Sequence, residues 1–138
     1  MPIDRNTPAG GRALARLEDE LIIWLTTVTP KGQPQASPVW FLWDGDEFLV
    51  YSLPSARVRN IEHNPKVALN LDGNGEGGDI VTLEGTARID EAAPPAYENP
   101  EYVAKYRRKF DQHNWTPEWF ASRYSVPIRI EPTRARYH

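Results

Sequence analysis

The densest chemistry in the sequence lies in Ser52-Leu53-Pro54-Ser55-Ala56-Arg57-Val58-Arg59-Asn60, where hydroxyls, guanidinium groups and a carboxamide fall close together. Ser55 is placed to cap a helix over residues 56–64 that Pro65 ends. A helix start exposes unpaired backbone N–H groups and a partial positive charge. Two serines and two arginines beside such a start make an anion site suited to phosphate or carboxylate. The same residues also fit a capped surface helix carrying two solvated arginines, and residue types alone do not separate the two.

Other constellations carry less. Gly73, Gly75 and Gly78 match G-x-G-x-x-G. A dinucleotide phosphate loop must follow a strand and open a helix. Here the strand-like DIVTLEG follows the glycines, so they read as a flexible hairpin loop. His63, His113 and His138 have no partners at metal-ligating spacing and lie on polar faces beside residues such as Glu62 and Asp111. They read as surface residues, which leaves neither a metal site nor a catalytic triad. Glu18, Asp19 and Glu20 are consecutive, so on a helix they diverge rather than pair. The absence of cysteine excludes a disulfide scaffold, a thiolate zinc site and a cysteine nucleophile. Trp24, Trp40 and Trp43 read mostly as core residues, although a flat aromatic ligand could lie across the strands that carry them.

The elements that must position these groups follow from periodicity and turn signals. Leu14, Leu17 and Leu21 at spacings of three and four predict an amphipathic helix over residues 9–20. Strands are expected over residues 21–29, 35–43 and 47–52, separated by Lys31-Gly32-Gln33-Pro34 and by Asp44-Gly45-Asp46. Pro38 cannot donate to a ladder, so it marks an edge, a bulge or a strand start. Two further strands are expected over residues 66–72 and 79–90, with Gly85 as a bulge or bend. Helices follow over residues 100–112, with Tyr102, Val103, Tyr106 and Phe110 on one side, and over 116–123, where Thr116 caps, Pro117 opens the first turn and Trp119 and Phe120 face inward. The last strand is expected over residues 125–136.

A chain of 138 residues fits one domain, here residues 1–138, with a real core. Residues 1–11 have no apolar run resembling a signal peptide, and no stretch reaches the roughly 20 apolar residues of a membrane helix. A soluble, cytoplasmic protein is expected. The net charge of −3 argues against a general nucleic-acid binder, so any phosphate recognition must be local.

Taken in order, WLTTVTPKGQPQASPVWFLWDGDEFLVYS, ARVRNIEHNPKVALNLD, IVTLEGTARI and PIRIEPTRAR resemble the split-barrel flavoproteins related to pyridoxamine phosphate oxidase, and within them the F420-dependent (deazaflavin) branch. Gly32-x-Pro34 through Val39-Trp40-Phe41, and the run Arg59-Asn60-Ile61-x-x-Asn64-Pro65, are the more specific parts. The resemblance implies a mainly β protein with helices: a split β-barrel of about six antiparallel strands. It also implies a homodimer with the cofactor at the subunit interface. The cofactor phosphate would be held by Ser52, Arg57 and Arg59, with Asn60 orienting the turn. The cofactor ring would lie against Gln35, Ser37, Pro38, Val39 and Trp40. The partner's later strands would close the site, with Arg134 as the candidate residue. Pro132-Thr133-Arg134-Ala135-Arg136 only echoes the C-terminal motif of the oxidase proper, so vitamin B6 oxidation is the less expected activity.

The activity so implied is hydride transfer from reduced F420 to a quinone, enone or tetrapyrrole. An FMN-binding oxidoreductase of the pyridoxamine phosphate oxidase type and a non-catalytic cofactor-binding protein are the alternatives. The cofactor supplies the reactivity and the protein binds and orients, so no protein nucleophile is required. Solvent or Tyr51 would supply the proton, and no catalytic side chain is assigned. No metal, nucleic acid or membrane is expected as a partner.

Overall fold

The computed structural model describes residues 2–138; Met1, which opens the segment read above as lacking a signal, lies outside the described residues. The elements in chain order are α1 (Pro8–Asp19), β1 (Ile23–Val28), β2 (Pro34–Val39), β3 (Leu42–Trp43), β4 (Phe48–Ser52), α2 (Ala56–His63), β5 (Lys66–Asn70), β6 (Val81–Ile89), a 3-10 turn (Ala96–Glu98), α3 (Pro100–His113), α4 (Pro117–Arg123) and β7 (Val126–Tyr137). One sheet joins the strands in the order β2-β1-β5-β6-β7-β4-β3, and every pairing is antiparallel.

The expected strand over residues 35–43 is two strands. β2 pairs with β1 at one edge of the sheet, whereas β3 pairs with β4 at the other. Only Trp40 and Phe41 lie between them, and a link of that length reaches roughly 10 Å. The two edges are therefore drawn together, the sheet curls, and a split barrel of seven strands results rather than six. Pro38 sits opposite Trp24 on the edge strand β2, where a missing N–H costs no ladder bond.

Gly85 stands where the β6–β7 register shifts. A Cβ there would fall 2.8 Å from the Glu131 carbonyl oxygen, so only glycine permits the close approach. The glycine-rich loop joins the antiparallel strands β5 and β6. Asn74 closes it by accepting from the N–H groups of Glu76 and Gly78.

Two apolar clusters flank the sheet. The barrel interior gathers Ile23, Leu25, Phe41, Phe48, Val50, Leu83 and Ile130, covered by Leu17 of α1. The second cluster packs Leu49 and Tyr51 against Tyr102, Tyr106 and Phe110 of α3 and Phe120 of α4. β4 lies between the two and is buried at every position. Each such side chain removed from water contributes roughly 1.5–3 kcal/mol. In α4, Phe120 faces inward as expected, but Trp119 does not: it is 41% exposed. The helix is a single short stretch of seven residues, and neighbours on so short a helix point in different directions. No helix among the described residues is long and apolar enough to cross a membrane.

Candidate functional site

α2 starts beside the edge of the barrel and turns Arg57 inward. Its two terminal nitrogens donate to Ser52 Oγ at 2.9 Å and Ser37 Oγ at 2.6 Å. Both acceptors are neutral hydroxyls. None of the ion pairs among the described residues involves Arg57. Burial holds its pKa below the ordinary guanidinium value, because a cation without a counter-charge is disfavoured away from water. Its own Nε is buried without a hydrogen-bond partner, as is Ser55 Oγ. Ser55 does occupy the helix-cap position, but its side chain makes no capping bond, contrary to the expected role.

Asn60 does not orient the turn. Its amide nitrogen donates to Thr27 Oγ1 at 3.0 Å and to Gln35 Oε1 at 3.1 Å. It therefore ties α2 to β1 and β2. Thr27, 2% exposed, was not singled out from the sequence. The available signal was a hydroxyl at an inward position of an alternating strand.

Beside Arg57 opens a cavity of about 430 Å³, lined among others by Pro38, Val39, Trp40, Tyr51, Phe120 and Tyr124. Its walls are stacked rings. Trp40 lies against Phe120 at 5.3 Å and 13°, and Phe120 against Tyr124 at 4.4 Å and 12°. His113 is exposed as expected, yet its ring stacks on Trp115 at 4.4 Å and both line this cavity. Tyr51 is ill placed to give up a proton. Its hydroxyl donates to the Pro94 carbonyl at 2.8 Å and accepts from Asn99 Nδ2 at 3.2 Å, and burial raises its pKa.

Of the residues chosen from the sequence, Pro38, Val39, Trp40 and Arg57 line this cavity, and Ser37 and Ser52 meet it through their bonds to Arg57, whereas Gln35 and Asn60 bond to each other and line none of it. Arg59 does not join them. It is exposed, and residues two apart on a helix do not share a face. Arg134 lies opposite Glu84 on β7. There it lines a separate cleft of about 540 Å³ with Asn70 and Thr82.

The family profile described as pyridoxamine 5'-phosphate oxidase matches residues 11–138. The chain belongs to this family. No curated protein matches it. Among solved structures, an F420 reductase is 27% identical, with a TM-score of 0.63 over 88% of this chain and 94% of the other. A candidate pyridoxamine 5'-phosphate oxidase from Listeria innocua is 22% identical, with a TM-score of 0.66 over 92% and 95%. A haem storage protein from Vibrio cholerae is 15% identical, with a TM-score of 0.65 over 95% of each chain. The last two share the fold of this family member.

Proposed function

We propose that the chain binds F420 and, with that cofactor reduced, passes hydride to a small electron-poor organic substrate such as a quinone, enone or tetrapyrrole. The observation that carries this reading is Arg57: a half-buried cation held by neutral hydroxyls, with its Nε and Ser55 Oγ, near in sequence, unpartnered, lining an aromatic cavity. Such a donor set fits a phosphate, and the stacked walls fit a tricyclic ring. The likeness to an F420 reductase supports the deazaflavin over FMN, which the same donors would also accept.

When bound, the reduced cofactor supplies a hydride. Arg57 would fix the phosphate, and Ser37 and Ser52 hold the guanidinium in place for it. Trp40, Phe120 and Tyr124 would set the plane of the ring and keep water from its face, so that positioning is the main catalytic contribution. The Tyr51 proton stays on its hydroxyl toward Pro94, and solvent at the cavity mouth serves instead. A second copy of the chain would close the site, with its Arg134 facing the cofactor.

Titration of the protein with F420 and with FMN, followed by tryptophan emission, tests this reading. Micromolar or tighter F420 binding with weaker FMN binding is expected. The reverse preference moves the assignment to an FMN oxidoreductase. Binding with no turnover of any acceptor moves it to a cofactor carrier. Arg57→Ala should weaken binding by about 30-fold, equivalent to about 2 kcal/mol for a lost charged hydrogen-bond partner. Unchanged affinity would remove Arg57 from the site.

A further inference from the structure

The step from β2 to β3 leaves the peptide groups of Phe41 outside either ladder, and α3 takes them up. The Phe41 N–H donates to the Tyr106 hydroxyl at 2.7 Å. That hydroxyl lies 2.8 Å from the Leu21 carbonyl and 2.9 Å from the Phe41 carbonyl, to one of which its single proton goes. Lys105 Nζ donates to the same Phe41 carbonyl at 2.8 Å. Tyr106 is 0% exposed and does not line the cavity. Its ring, however, stacks on Trp40 at 4.5 Å and 2°, and Trp40 does line it.

We propose that Tyr106 is a positioning residue for ring binding: its hydroxyl pins the peptide at which the chain changes sheet edges, and its ring fixes the plane of the Trp40 indole. The proposal rests on the reading that this cavity takes a planar cofactor ring. The hydroxyl and the ring act together. Pinning Phe41 fixes where the Trp40 backbone leaves β2, and the parallel stack leaves the indole one orientation. A free Phe41 N–H would let the two-residue link rotate and tilt the wall against which a ring must lie flat.

Tyr106→Phe keeps the ring and removes the hydroxyl. It should unfold cooperatively, bind F420 or FMN at least tenfold more weakly than the native protein, and shift the ligand-free Trp40 emission to longer wavelength. Trp40 emission is isolated by subtracting spectra in a Trp40→Phe background. Leu17→Ala, in the barrel interior away from the cavity, is the control for lost stability and should leave affinity within twofold at temperatures where it is folded. The proposal is overturned if Tyr106→Phe binds as the native protein does, if Leu17→Ala loses affinity equally, or if the Trp40 emission does not move. Should the native protein bind neither cofactor, the reading of function fails by itself, and the emission shift still decides whether Tyr106 orients Trp40.

Discussion

Arg57 shows how a side chain can be legible in type and illegible in setting. Its place near a helix start, with serines close by, was visible in the sequence. Its separation from every carboxylate was not, because that depends on what the barrel packs around it. Thr27 and Gln35 were equally hidden in role, since Asn60 reaches them only after β1, β2 and α2 have assembled. An internal anion should therefore act on stability and binding with opposite signs. Ser55→Asp would place a carboxylate at the start of α2, where the native side chain makes no capping bond, and stabilise the fold by about 0.3–1 kcal/mol, the range for an anion at a helix N-terminus. It should also compete with a phosphate and weaken cofactor binding more than tenfold. Thermal unfolding and titration of one variant check both.

Among the elements, the break at Trp40 and Phe41 shows where sequence patterning stops informing. QASPVWFLW is rich in strand-forming residues throughout, so local propensity gave no reason to divide it. The division is made by α3, through Tyr106 and Lys105. The Gly85 irregularity, by contrast, was legible, because a glycine within a run of strand formers marks a close backbone approach. Lys105 carries a measurable consequence. Burial lowers its pKa from 10.5 to about 8, with Asp19 partly opposing. Between those values the unfolded chain holds a proton that the folded chain has released, so stability must rise with pH across that window. The urea midpoint should climb from pH 7.5 to 9.5 in the native protein relative to Lys105→Met, in which that increment is absent.

For the whole molecule, the antiparallel barrel with flanking helices was legible from turn signals, hairpin-length connections and the resemblance. Its closure was not, because curling depends on which strands become the edges. β2 is exposed along most of its length, and Arg134 lies far along the sheet from it, on β7. A dimer whose sites combine Arg57 of one copy with Arg134 of the other makes a sharp prediction. Arg57→Ala and Arg134→Ala should each bind cofactor weakly, and mixing them should restore tight binding in about a quarter of the sites. Each mixed dimer then has one intact site and one doubly altered site. Titration after subunit exchange measures the fraction. No restoration would place Arg134 outside the site.

The pairing of β2 with β1 also bears on how the chain survives its own synthesis. In an antiparallel pair, alternate residues turn their backbone groups toward and away from the partner. Pro34, Ala36 and Pro38 share one parity, opposite Val28, Thr26 and Trp24, and prolines can occupy only the outward set. Of these three outward positions, Ala36 alone retains an N–H. An incoming strand from another molecule would meet carbonyls at each and a donor at one, which guards an otherwise open edge against runaway association. Replacing Pro34 and Pro38 together with threonine should leave the fold intact yet raise light scattering severalfold during refolding from urea, a failure that no contact in the finished protein would foretell.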